Sequence, residues 1–151
     1  MATLNPYLNF DGKTEEAFNF YESVLGGEFM GGIMRYKDMP DGNNLSREDQ
    51  NKVMHVALPV GKDTFLMGTD TIDSLGGQKL VVGNNCQILI APESREEADR
   101  IFNELSKGGK VELPMQDMFW GAYYGAFADK FGVNWMVHFA TAQESKKTTT
   151  A

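Results

Sequence analysis

Over the first 25 residues the spacing of apolar side chains changes period once. Residues 5–10 alternate, with Pro6, Leu8 and Phe10 opposite Asn5, Tyr7 and Asn9, which predicts a half-buried strand. Asp11-Gly12 ends it. Over 13–25 the apolar residues Ala17, Phe20, Tyr21, Val24 and Leu25 recur at the helical period. Thr14 is the expected N-cap, Glu15 and Glu16 suit the positive end of the helix dipole, and Gly26-Gly27 stops the helix. A strand rich in methionine and glycine follows over 28–36. The segment 37–51, KDMPDGNNLSREDQN, is polar, holds Pro and Gly and has no apolar period, so it reads as a surface loop long enough for a lid. Strands are expected at 52–60 and from 64 to near Asp70, and a glycine-containing connector at 72–80.

The pattern then begins again. Residues 85–90 alternate as Cys86, Ile88 and Ile90 against Asn85, Gln87 and Leu89, and Pro92-Glu93-Ser94 leads into a helix from Arg95 to about Lys107, stopped by Gly108-Gly109. The words repeat too: Glu15-Glu16-Ala17, Tyr21 and Gly26-Gly27 answer to Glu96-Glu97-Ala98, Phe102 and Gly108-Gly109. Strands over 110–113, 119–128 and 133–140 complete the second unit. Neither half could bury its helix-facing surface alone, so the two are expected to pair into one curved sheet with helices outside. This is one α+β domain over residues 1–143, with modules at about 3–71 and 82–141 and a flexible tail at 144–151.

The aromatic stretch 117–139 is the centre of that expectation. In its second strand Val133, Trp135, Val137 and Phe139 form an apolar face, while Asn134, Met136 and His138 form a mixed face suited to a ligand or water. If the Asp129 to Gly132 turn closes symmetrically, Tyr123, Gly125 and Phe127 share the mixed face, and Trp120, Tyr124 and Ala126 the apolar one. A bulge would exchange the two sets. Glycines 121 and 125 suggest a bend or the close approach of another group.

Composition narrows the function. With 151 residues the chain holds one core, and its formal charge of −7 offers no basic stripe for nucleic acid or an anionic membrane. No stretch reaches the length of a membrane span, and MATLNPYLNF lacks a basic region followed by an apolar run, so a soluble, unexported, cytoplasmic protein is expected. The single cysteine, Cys86, fits a reducing compartment, and on its apolar strand side it is expected in the core. The glutamate pairs are explained by the helix dipole. The glycine pairs lack the strand to G-x-G-x-x-G to helix context, so no nucleotide or S-adenosylmethionine site is supported. The two histidines, His55 and His138, are the candidates for proton transfer, against a hydrogen-bonded structural role for each. Nine methionines, many on expected strands, would make an adaptable apolar lining or fill gaps in the core.

The words PYLNFDGKTEEAFNFYESVLGG, MHVALPV and SREEADRIFNELSKGGKVELPMQDMFWGAYYGAFADKFGVNWM, in that order, resemble the PhnB-like branch of the vicinal oxygen chelate superfamily, which includes glyoxalase I, bleomycin-resistance proteins and extradiol dioxygenases. The resemblance covers nearly the whole chain apart from the tail and the 37–51 loop. It implies paired βαβββ modules with helices on the convex face, a homodimer and a cavity on the concave face. It also implies metal-ligand positions at Asn5, at Asn85, near 66–68 and at Met136. An asparagine pair with a thioether departs from the His, Gln and Glu set of metal-dependent members. No metal site and no cofactor are therefore expected. The expected function is binding of a small, partly apolar or aromatic molecule by Tyr7, Trp120, Tyr123, Met136 and His138, with Asn5, Asn85 and Gln87 at its polar edge. The alternative is a divalent-metal glyoxalase- or dioxygenase-like enzyme using non-standard ligands such as His55 or His138.

Overall fold

The computed structural model describes residues 1–76 and 79–141, with Leu75 by its backbone alone. Residues 77 and 78 of the connector and the expected tail at 144–151 lie outside the described residues. The chain divides into two compact units, Met1–Val81 and Val82–Ala151.

In the first unit, β1 (Tyr7–Phe10) leads to α1 (Thr14–Leu25), then β2 (Met34–Arg35), α2 (Arg47–Gln50), β3 (Val53–Val60) and β4 (Thr64–Asp70). The sheet order is β1-β4-β3-β2, with β1 parallel to β4 and the other pairs antiparallel. The second unit repeats this plan: β5 (Ile88–Ile90), α3 (Arg95–Ser106), β6 (Lys110–Asp117), β7 (Ala122–Ala128) and β8 (Asn134–Ala140), in the order β5-β8-β7-β6 with β5 parallel to β8. The βαβββ repeat is thus present in both halves. Its strands form two four-stranded mixed sheets, one in each unit.

The two long helices each bury a stripe at helical spacing, Ala17, Phe18, Tyr21 and Val24 in α1 and Ala98, Ile101, Phe102 and Leu105 in α3. Phe18 occupies the core where the periodicity favoured Phe20, which is only half-buried. Burial of the Phe18 and Phe102 side chains contributes about 2 kcal/mol each. A glycine makes room for each ring. A Cβ on Gly68 would lie 2.5 Å from Phe18 Cε2, and one on Gly125 2.8 Å from Phe102 Cε2 and 3.0 Å from the Leu113 carbonyl oxygen.

Two buried aspartates hold the elements together. Asp70 Oδ1 accepts from the Thr14 amide at 3.0 Å and the Thr14 hydroxyl at 2.7 Å, while Oδ2 accepts from the Val53 amide at 2.9 Å. Thr14 is therefore the first residue of α1 and not its cap. The cap comes from the end of β4, 56 residues away. Asp129 Oδ1 accepts from the amides of Phe131 and Val133, and Oδ2 from Trp135 Nε1 at 2.9 Å, which locks the β7–β8 connection.

Several expected elements differ. The 28–36 strand shrinks to Met34–Arg35, because Gly31 and Gly32 take φ of 72° and 73° and break the extended chain. Met30 still donates its amide to the Ala57 carbonyl. The 37–51 loop contains 3-10 turns at Tyr36–Asp38 and Gly42–Asn44 as well as α2, which Ser46 caps by accepting from the Asp49 amide. Residues 5–6 and 85–87 precede their strands, and Cys86, expected in the core, is exposed because β5 begins only at Ile88. The 110–113 strand extends to Asp117 as a sheet edge, where Pro114 is tolerated. Phe119 and Trp120 lie in the turn before β7, with the Met118 amide donating to the Ala122 carbonyl.

Two predictions follow from the packing. Asp129→Ala leaves the buried Trp135 Nε1–H without this acceptor and should cost about 3 kcal/mol in urea unfolding, with Asp129→Asn costing less because its amide oxygen can still accept from the loop. Gly68→Ala and Gly125→Ala should each destabilise by about 2 kcal/mol through overpacking against a helix phenylalanine, read as a lower midpoint at unchanged slope.

Candidate functional site

Strand register decides which side chains share a face. In the first unit Tyr7, Met67 and Ala57 are neighbours across β1, β4 and β3, and Leu8, Gly68 and Val56 form the next row. Because Gly68 abuts Phe18, its row faces α1, and Tyr7, Met67 and Ala57 lie on the face away from the helix. His55, two residues before Ala57, shares that open face and pairs in register with Met34. In the second unit Leu89, Met136 and Ala126 make the matching row across β5, β8 and β7, while Ile90, Val137 and Gly125 face α3. A methionine therefore occupies the same place in both modules, Met67 in one and Met136 in the other.

The hairpin register corrects the expected assignment of faces. Tyr124 pairs with His138 and Ala126 with Met136, so these residues share the mixed face with Asn134. Tyr123, Gly125 and Phe127 pair with Phe139, Val137 and Trp135 on the helix side. The physical reason is the connection. Ala128 pairs with Asn134, leaving five residues at the turn, and Asp129 bonds across it. Tyr123 accordingly donates its hydroxyl to Asp99 Oδ1 of α3 at 2.5 Å, and its ring carries the Arg95 guanidinium 4.4 Å from the centroid. The hydrogen bond to Asp99, then burial, raises the Tyr123 phenol above its ordinary range. Arg95 is in turn paired with Asp117. This cluster cements helix to sheet on the face opposite the one expected for Tyr123.

The remaining candidates are scattered. Asn5 Oδ1 accepts from the Phe65 amide at 2.8 Å, continuing the β1–β4 pairing by a side chain. Asn85 and Gln87 are exposed ahead of β5. Trp120 packs edge-to-face on Phe119, centroids 5.1 Å apart, in an exposed turn. Met136 and His138 remain together on the mixed face of β8. Tyr7 and His55 are in direct contact, with the Tyr7 hydroxyl 3.1 Å from His55 Nδ1 and the rings stacked at 5.8 Å. From sequence Met34 and Met67 stand out only among the strand methionines that could line a cavity, and Tyr124 is expected on the apolar face. The helix-facing glycines were the available signal, since each marks its own row as the covered one.

The metal positions implied by the superfamily resemblance can be tested against these atoms. The 66–68 position resolves to Met67, because Leu66 and Gly68 lie on the helix side. Asn5 has its side-chain oxygen committed to the Phe65 amide, and Met136 offers a thioether. Hard and borderline divalent ions take imidazole or charged oxygen ligands, so these residues do not fit that set. Asp70, the nearest carboxylate in sequence, is occupied by three donors on the buried side. Among the described residues no three of His, Cys, Asp and Glu are grouped so as to hold a metal ion.

A family model described as 3-demethylubiquinone-9 3-methyltransferase matches residues 2–138. Protein PA1353 of Pseudomonas aeruginosa has a structure similar at a TM-score of 0.80 and 34% identity, over 93% of this chain and 99% of that one. A PhnB protein from Bacillus cereus is similar at 0.71 and 26% identity, over 92% and 100%. A glyoxalase/bleomycin resistance protein/dioxygenase family enzyme from Burkholderia phytofirmans shares the fold at 0.56 and 12% identity, over 91% and 95%. With both βαβββ modules in place and the match running from the residue after Met1 into β8, the chain belongs to the PhnB-like 3-demethylubiquinone-9 3-methyltransferase family and has the fold of the glyoxalase/bleomycin resistance/dioxygenase proteins.

Proposed function

We propose that this chain binds a small, partly apolar or aromatic molecule on an open sheet face, without a superfamily-type metal, as a cytoplasmic homodimer. The observation that carries the reading is the pair Met67 and Met136, matched by register on the faces that no helix of their own unit covers. Polarizable thioethers beside Tyr7, His55, Tyr124 and His138 favour contact with rings and alkyl groups over coordination of a hard cation. Among the described residues the long helix of each unit packs on one side of its sheet, which leaves the other face to be covered by a ligand or by protein. Exposed Phe119 and Leu89 favour burial against a second copy. The charge of −7 supports neither nucleic acid nor membrane as partner, and the single cysteine suits the cytoplasm.

Methyl transfer is not part of this reading, although the family's description names it. A methyl donor with a nucleoside calls for a strand-to-helix glycine loop, whereas Gly26-Gly27 and Gly108-Gly109 follow the C-terminal ends of α1 and α3.

Protein purified without added ions and dialysed should carry no stoichiometric Zn, Ni, Mn or Fe, while indole and 1-indanone should raise its melting temperature. Met67→Lys, which sets an ammonium on the open face beside Tyr7 and His55, should weaken the response to either compound by about tenfold. An ion that survives dialysis and is lost in His138→Ala would instead establish the metalloenzyme.

A further inference from the structure

Tyr7 and His55 come from β1 and β3, so their contact spans β4, the strand that carries Met67. A neutral imidazole has one proton and two nitrogens, and the partner of one nitrogen decides where that proton sits. Burial, and to a lesser degree Tyr36, raises the Tyr7 phenol above its ordinary value, which keeps the hydroxyl protonated and able to donate. A hydroxyl donating to Nδ1 leaves the imidazole proton on Nε2. Among the described residues Nε2 of His55 has no hydrogen-bond partner. Its neighbours on the open face include Met34 across the β2–β3 register and Ala57 along the strand, while the polar residues Asn9 and Thr69, paired with each other, lie further along β1 and β4 and the Thr69 hydroxyl is already engaged with Tyr36 and the Val53 carbonyl. A donor set beside thioethers and a methyl group is the arrangement of a small-molecule site, where a polar group fixes the orientation of an apolar body.

We infer that the Tyr7–His55 pair is the polar anchor of the binding face, with Tyr7 donating to Nδ1 and His55 Nε2–H donating to an acceptor oxygen on the ligand. The inference rests on the proposed binding function and names the ligand class: a small apolar or aromatic molecule with a carbonyl or comparable oxygen at one edge. His55 is the group that touches the ligand. Tyr7 is a positioning residue, which acts by holding the tautomer and ring plane of His55.

The test pairs two readouts on the full chain. Nitrogen NMR of the histidine side chains in free protein should show His55 as the Nε2–H tautomer, and Tyr7→Phe should release it to a mixture of both. 1-Indanone should bind about fivefold more tightly than indane, the same bicyclic frame without the oxygen, and should shift the His55 Nε2 resonance. His55→Phe should abolish the discrimination while indane binding persists. An Nδ1–H tautomer in the wild-type protein overturns the inference. Equal binding of the two compounds overturns it as well but leaves the proposed function intact, whereas failure of both to bind removes that function and the anchor with it. The wild-type and Tyr7→Phe spectra decide the tautomer even if His55→Phe does not fold.

Discussion

A carboxylate removed from water is stable only where donors replace the water it has lost, and each module is assembled around one such group. Asp70, 2% exposed, gathers the first turn of α1 and the start of β3 onto the end of β4. Asp129, 3% exposed, gathers the turn after β7 and the indole of Trp135. The two occupy different places in the repeat, one closing a helix on a sheet and the other closing a hairpin. Both turn a charge that would be costly in the interior into a fixed junction between elements distant in sequence. The register of β8 against β7, and with it the composition of the mixed face, depends on the Asp129 junction.

Packing against the helices then divides each sheet into a covered and an open side. Phe18 and Phe102 need space that only a residue without Cβ leaves, and Gly68 and Gly125 supply it. Strand alternation sends their neighbours Met67 and Tyr124 to the opposite face. The open faces therefore owe their side chains to what the helices require on the other side. At the matched position of both modules the result is a methionine, a soft and flexible apolar group, where metal-dependent members of the superfamily are expected to place an oxygen ligand. The polar chemistry on the first open face includes the Tyr7–His55 contact and, further along β1 and β4, Asn9 and Thr69. The charged groups around Tyr123 serve the helix–sheet contact instead.

Local pattern was enough to read the repeat, the two long helices and the central strands. Helical and strand periods are set by backbone geometry within a few residues, and the paired words Glu15-Glu16-Ala17 and Glu96-Glu97-Ala98 mark equal positions in equal units. The same pattern failed where a distant atom decides. Thr14 resembles a cap by its type, yet Asp70 caps α1 from the other end of the module. Tyr123 and Tyr124 are adjacent and chemically alike, so only the pairing of Ala128 with Asn134 separates the one that faces α3 from the one beside His138. Asn5 was readable as an amide at a ligand position, but its attachment to the Phe65 amide requires β1 and β4 to be side by side. Periodicity and turn chemistry were enough for the kind and order of the repeated strands and long helices, though not for α2 or the shortened β2. Which side chains meet, Tyr7 with His55 above all, was decided only by the tertiary structure, because contact across strands depends on register, and register is fixed by hydrogen bonds between residues far apart in the chain.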